Sequence, residues 1–215
     1  MKILIISATD FELSVAQQKI KSTKNREIIF ATTGVGALAT AVHLSKIIYE
    51  QKPDFIFQIG IAGCFDVQEK LGNVYLVGEE FLGDLGVVEK GNLKDIFDLQ
   101  LVKANSKPFK QKGILNPCIN QYQNLKIPIV KAVTVNQIST DKNHIQQLIK
   151  KYNPCIETME GAALHYVCNS YKIPYLQIRS ISNYIGERDK TKWKMKLAID
   201  NLNRYLVKYI VHLTS

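Results

Sequence analysis

Apolar residues follow two alternating rhythms along the chain. Short apolar runs predict strands: Lys2–Ser7 (KILIIS), buried by its continuous β-branched run, then Glu27–Thr32 (EIIFAT), Asp54–Ile59 (DFIFQI), Asn73–Gly78 (NVYLVG) and Ile127–Val135 (IPIVKAVTV). Between them, apolar positions recur at three and four residues, the spacing of one helical face. A helix from Phe11 to about Lys21 follows the turn Thr9–Glu12, and another, Ala37–Glu50, carries Ala41, Leu44 and Ile48 until Pro53 stops it. Asp141 is a suitable N-cap for a helix over His144–Tyr152, where Ile145, Leu148 and Ile149 form one stripe. Glu157–Asn183 reads as a strand end, a helix and a second strand. Thr191–Leu213 reads as a closing amphipathic helix that offers Leu197, Leu202, Leu206, Tyr209 and Ile210 for packing. This alternation predicts an α/β protein, a three-layer α/β/α sandwich around a mostly parallel mixed sheet.

Two stretches break the rhythm. Gly60-Ile61-Ala62-Gly63 predicts a turn whose glycines let backbone N–H groups approach a ligand. From Phe81 to Lys126 the periodicity dissolves into Gly, Asn, Lys and Pro, an irregular insert of the kind that serves function or an interface. With 215 residues and no linker, repeat or low-complexity tract, a single domain over residues 1–215 is expected.

Composition narrows the classes. A hydrophobic share of 46% with 22% charged residues is ordinary for a globular chain. No apolar run approaches ~18 residues, so no membrane partner is expected. The opening MKILIISATDFEL resembles a first strand more than a signal peptide. Four widely spaced cysteines (Cys64, Cys118, Cys155, Cys168) support neither zinc nor disulfides and fit a reduced cytoplasm, with Cys64, Cys155 and Cys168 as small core residues. The net charge of +9 raises nucleic acid as a partner, but the lysines are scattered, with no stripe interleaved with aromatics. A mildly basic surface instead favours an anionic small substrate.

Gly34-Val35-Gly36-Ala37-Leu38-Ala39 has the form of a dinucleotide fingerprint. It follows the second strand rather than the first, and Asp54 precedes its strand where a ribose carboxylate should stand at the far end. No cofactor and no metal are therefore expected. Ligand groups in open α/β sheets collect beyond the carboxyl ends of strands. Glu157 and Glu160 stand at one such junction, and Arg179, Ser182 and Asn183 at another. Glu12 stands just beyond the first strand. A carboxylate in a first helical turn is favoured by the helix dipole alone, yet a pair at one sheet edge can divide the work, one positioning hydroxyls and one accepting a proton.

The blocks MKILIISATDFE, TTGVGALATAVHL, PDFIFQIGIAGCF, ETMEGAA and LQIRSISN occur in order over nearly the whole chain. Together they resemble the nucleoside phosphorylase/nucleosidase superfamily, in particular the methylthioadenosine/S-adenosylhomocysteine nucleosidase branch. Within it, SATDFE, FLGDLGVVE, DIFDLQL, VTVNQ and SISNYIGERDKTKW are similar to the futalosine hydrolases, which release hypoxanthine during menaquinone synthesis. The resemblance implies a nucleoside phosphorylase-like fold, with Glu12 as the general base that activates water. It implies Met159 and Glu160 as ribose contacts, and Ala62 and Gly63 beside the nucleophile and sugar. Ile138 then replaces an aromatic against the purine face. Asn183 falls where adenine-specific members carry an aspartate. An amide there can donate to O6 and accept from N7–H, which implies hypoxanthine rather than adenine. Asp10 and Glu12 stand where phosphorylases use glycine and arginine to hold phosphate, which implies water as the nucleophile. The implied partner is a purine nucleoside with an anionic 5′ substituent, received by Lys90, Lys94, Lys103, Lys107, Lys110 or the segment around Arg188; the implied assembly is a homodimer. Two other readings stay open: an adenine-specific nucleosidase acting on methylthioadenosine, S-adenosylhomocysteine or aminofutalosine, and a non-catalytic nucleoside- or nucleic-acid-binding protein.

Overall fold

Strand β1 (Lys2–Ser7) decides the layering, because its side chains alternate between two apolar environments. Ile3 and Ile5 join one buried cluster and Leu4 and Ile6 another, in a computed structural model that describes residues 1–212. The chain continues through α1 (Asp10–Lys19), β2 (Glu27–Thr32), α2 (Ala37–Gln51), β3 (Phe55–Cys64) and β4 (Val74–Leu82). Four short strands follow: β5 (Gly86–Glu89), β6 (Asn92–Asp95), β7 (Phe109–Lys110) and β8 (Gly113–Leu115). The rest comprises β9 (Ile129–Thr134), α3 (Lys142–Tyr152), β10 (Ile156–Thr158), α4 (Gly161–Tyr171), β11 (Tyr175–Tyr184) and α5 (Met195–His212). On the Ile3 face, α1 contributes Leu13 and Ala16, and α5 contributes Leu202, Leu206 and Tyr209. On the other face, α2 supplies Leu44 and Ile48, and α4 supplies Leu164, Val167 and Cys168. Each fully buried aliphatic side chain contributes about 1.5–3 kcal/mol, so these two faces drive the sandwich together.

Strands β2, β1 and β3 run parallel. Beyond β3 the sheet closes on itself: β3 pairs with both β11 and β10, β10 with β9, β9 with β4, and β4 with β11. Every strand of that ring sends a side chain into one buried cluster, from Ala62 and Cys64 through Tyr75 and Val77 to Ala132, Ile156 and Ile181. The ring is therefore filled, and it fixes the strand ends that carry polar groups. No helix among the described residues is long and apolar enough to cross a membrane.

Four expectations need correction. Gly60–Gly63 is not a turn but the end of β3, because β10 and β11 both hydrogen-bond to it there. Pairing partners override the glycines' local preference. The insert is more ordered than its composition indicates. Phe81 and Leu82 finish β4, β5 and β6 form a hairpin, and β8 extends the main sheet at β4. It is pinned to α3 by an ion cluster around the buried Asp95: Lys112 meets Asp95 at 3.1 Å and the part-exposed Asp98 at 2.6 Å, Lys151 bridges the same two aspartates, and Tyr152 donates to Asp95. The closing helix begins at Met195, after a separate short turn whose Asp189 accepts from Thr191 N. Leu213, its expected end, lies outside the described residues. Leu197 stays 45% exposed while Leu202, Leu206, Tyr209 and Ile210 are buried. Cys155 is half-buried, unlike the fully buried Cys64 and Cys168.

Candidate active site

Two helix starts bring two glutamates together. At the first, Thr9 precedes α1 and donates to Glu12 Oε2 through both its backbone N (3.1 Å) and its hydroxyl (2.9 Å). This reciprocal cap fixes the side chain, and its other oxygen, Oε1, accepts from Ile61 N at 3.0 Å. At the second, Glu160 occupies the N-cap position of α4. Its Oε1 accepts from Gly36 N at 3.1 Å and its Oε2 from Arg179 Nη1 at 3.3 Å. Gly36 sits at φ 93°, a left-handed conformation that glycine adopts readily, so the fingerprint-like loop aims an N–H at a carboxylate rather than at a dinucleotide.

Arg179 is the buried cation between them. It also donates from Nη1 to Ile61 O at 3.3 Å and from Nη2 to Gln58 Oε1 at 2.9 Å. Gly60 makes the room: a Cβ there would lie 2.3 Å from Arg179 Nη1 and 3.1 Å from Glu12 Oε1. Burial pushes the Glu12 carboxyl above its ordinary value, Arg179 and the hydrogen bonds to Ile61 and Thr9 oppose that, and the like charge of Glu160 adds to it.

A cavity of about 240 Å³ opens above these groups. It is lined by all seven residues expected from the sequence: Glu12, Ala62, Gly63, Ile138, Met159, Glu160 and Asn183. Thr9, Phe11, Val35, Ile61, Glu157, Thr158, Arg179, Ser182, Ile185, Trp193 and Met195 complete much of the wall. Half-buried Asn183 has its amide oriented from both sides. Its Oδ1 accepts from Ser182 Oγ at 2.8 Å and its Nδ2 donates to Tyr184 O at 3.1 Å, which leaves a second N–H and a second lone pair for a ligand. Ile138 is 38% exposed, at the mouth. Of the cationic candidates for a 5′ group, none of Lys90, Lys94, Lys103, Lys107 or Lys110 lines the cavity. The hairpin instead packs on α3, where Gln147 bonds Leu93 N and Gly91 O, and Lys94 pairs with Glu89. Arg188 lies 5.7 Å over the ring of Trp193, which does line the cavity.

A second polar layer lies beneath α4. Fully buried Glu80 accepts from Thr134 Oγ1 (2.8 Å), Thr158 Oγ1 (3.2 Å) and Gln177 Nε2 (2.8 Å). The two threonine hydroxyls in turn accept from Ala162 N and Gly161 N, so Glu80 reaches the start of α4 through them. Burial pushes its pKa up to about 7 despite those bonds. A carboxyl whose pKa is raised on folding favours the folded state while protonated. Its contribution is therefore lost as pH rises from about 4.5 to about 7, and totals about 3 kcal/mol. Thermal melting between about pH 5 and about pH 8 should accordingly flatten in Glu80→Gln relative to wild type. Parallel pH profiles of the two proteins would refute this.

Arg179, Gln58 and Glu80 are the site residues whose roles were not legible in the sequence. Their signal was a charged or amide side chain inside a strand buried on both faces, which requires a partner nearby.

A model of the phosphorylase superfamily matches residues 9–211. The chain belongs to that superfamily. Similar proteins include a 5′-methylthioadenosine/S-adenosylhomocysteine nucleosidase of Tolumonas auensis, 24% identical over 219 residues, covering 93% of each chain. A futalosine hydrolase of Thermus thermophilus is 25% identical over 186 residues, covering 86% of this chain and 81% of the relative. Among solved structures, futalosine hydrolase of Helicobacter pylori superposes with a TM-score of 0.83 at 16% identity, over 99% of this chain and 98% of its own. A methylthioadenosine/S-adenosylhomocysteine nucleosidase of Colwellia psychrerythraea in complex with adenine gives 0.82 at 19% identity, over 99% and 96%. These likenesses establish the same mixed α/β fold.

Proposed function

We propose that this member of the superfamily is a purine nucleosidase that hydrolyses the N-ribosidic bond of futalosine, releasing hypoxanthine and dehypoxanthinyl futalosine. The observation that carries the reading is the anchored amide of Asn183 in the same cavity as the Glu12–Arg179–Glu160 cluster. Glu160, held by Gly36 N and Arg179, presents its carboxylate to the 2′- and 3′-hydroxyls, with Met159 beside the sugar. As the C1′–N9 bond lengthens, the ribosyl group gains oxocarbenium character and negative charge moves onto the purine. The remaining N–H of Asn183 donates to O6 and stabilises that charge. Water oriented by Glu12 attacks C1′ and gives its proton to the carboxylate, while the departing purine anion takes a proton from solvent at N7, whose N–H the carbonyl of Asn183 accepts. Phosphate is disfavoured as nucleophile because Glu12 would repel a dianion beside the sugar; Asp10, expected from the sequence to add to this, stands outside the cavity, where it accepts from the Thr32 hydroxyl.

Asn183→Asp should shift the kcat/KM ratio toward 6-aminopurine nucleosides by about 10²-fold or more, since the site would gain a protonatable acid for N7 and lose an obligate donor to O6. The check is base release by chromatography, without phosphate, from futalosine, aminofutalosine, methylthioadenosine and inosine. Adenine release by wild type at an efficiency comparable to hypoxanthine release would overturn the futalosine reading, and strict dependence on added phosphate would overturn hydrolysis. The adenine-specific reading is supported equally by the likeness to methylthioadenosine/S-adenosylhomocysteine nucleosidases, among them the Tolumonas relative over 93% of this chain and the adenine-bound Colwellia structure.

A further inference from the structure

Helix α4 begins on a residue that does not cap it. Asp141 caps α3 by accepting from His144 N, but the N-cap of α4 is Glu160, whose side chain makes no capping bond. Its carboxylate is turned away from its own helix, to Gly36 N and Arg179 at the cavity. The first N–H groups of a helix still need acceptors. Here the neighbouring strands supply them: Gly161 N donates to Thr158 Oγ1 at 3.3 Å, and Ala162 N donates to Thr134 Oγ1 at 2.8 Å.

A threonine hydroxyl has one hydrogen, and the group that receives it decides which way the lone pairs face. Glu80 receives both hydrogens, that of Thr134 on Oε2 and that of Thr158 on Oε1. Both hydroxyls are thereby left as acceptors for the helix. The carboxylate itself is a fixed point, fully buried on β4 and held on Oε1 by Gln177 Nε2 as well. Gly161 lets α4 start directly above it, since a Cβ there would overlap Glu80 Oε1. The partial positive charge of a helix start favours an anion in that place.

We propose that Glu80 is a positioning residue for sugar recognition: by capping α4 through Thr134 and Thr158, it leaves the Glu160 carboxylate free and fixes where that carboxylate meets the 2′- and 3′-hydroxyls. The inference rests on the sugar-holding role that the proposed function gives Glu160, and it holds whichever purine leaves. Thr158, Met159 and Glu160 are consecutive on the cavity wall, so a loosened cap displaces the carboxylate with it. A misplacement of about 1 Å can cost about 10²-fold in rate.

The test is the ratio of kcat/KM for a ribonucleoside to that for its 2′-deoxy analogue, with futalosine and methylthioadenosine run in parallel. Measurement at about pH 8 keeps Glu80 ionised. Glu160→Gln, which keeps the length of the side chain without its charge, should lower the wild-type ratio by about tenfold. Glu80→Met and Thr134→Val should lower it by about tenfold or more, whereas Thr134→Ser restores the hydroxyl and should stay within about threefold of wild type. Loss of packing alone slows both nucleosides together and leaves the ratio where it was. Thr134→Val covers the case in which Glu80→Met does not fold. If Glu160→Gln lowers the ratio and the folded Glu80→Met and Thr134→Val proteins keep it, Glu80 does not position the sugar-binding carboxylate, and the proposed function stands. If Glu160→Gln leaves the ratio unchanged, or wild type cleaves neither ribonucleoside, Glu160 does not hold the sugar and this inference falls with that role.

Discussion

Glu12→Gln is expected to lower kcat by about 10²–10⁴-fold, the usual value of general-base assistance, while the protein still folds. The amide preserves the shape of the cap: its carbonyl can accept from Thr9 or from Ile61, so α1 keeps most of its start. What it cannot do is take a proton from water. The wild-type pH profile should carry the same signature. Glu12 must be ionised to act, and burial holds its pKa above the ordinary carboxylate value, so activity falls on the acid side with a midpoint above 4.5. Steady-state kinetics with futalosine across pH checks both statements. Near-wild-type turnover in Glu12→Gln, or an acid limb at or below the ordinary value, would assign the base elsewhere.

Arg179→Met should be the most damaging single change to stability in the site, costing about 3–5 kcal/mol, because it removes one partner of a buried pair and strands the other. Arg179 is 2% exposed, and Glu160 is 5% exposed, so neither is rescued by water. Without the guanidinium, Glu160 and Glu12 lose their shared counter-charge, and Gln58 loses its donor. Activity should fall with stability, in a variant whose melting point rises as pH is lowered enough to protonate the carboxylates. Denaturant unfolding at two pH values measures this; a loss below about 1 kcal/mol at neutral pH would mean that the pair is solvated and not structural.

Much of the fold was legible in the chain because its strands are buried on both faces. KILIIS is a continuous apolar run whose ends coincide with β1, buried on both faces, whereas EIIFAT coincides with β2, the edge strand, whose apolar residues are only half-buried. The misread stretches share one cause, which is long-range pairing. Gly60–Gly63 looks like a turn locally and is a strand because β10 and β11 flank it, a fact no nearby residue encodes. The order of the insert depends on Asp95 and Asp98 meeting Lys112 and Lys151, which come from separate segments. The site divides the same way. Residues at strand ends followed by helix starts, Glu12 and Glu160, announce themselves by position. Arg179 and Glu80 were not assigned roles because their partners come from other strands and loops.

Under the proposed function, the groups that hold the sugar and the water hang from the starts of α1 and α4 and are tied into one charge network, whereas Asn183 sits apart on β11, beside the bare Gly63 of β3. These are two independently adjustable modules. Randomising position 183 would sample new leaving bases on an intact scaffold, while randomising 12, 160 and 179 would return mostly inert or unfolded chains. A catalyst built this way can be retuned to a new nucleobase by few steps, because the groups that hold the sugar and activate water are not the one that meets the base.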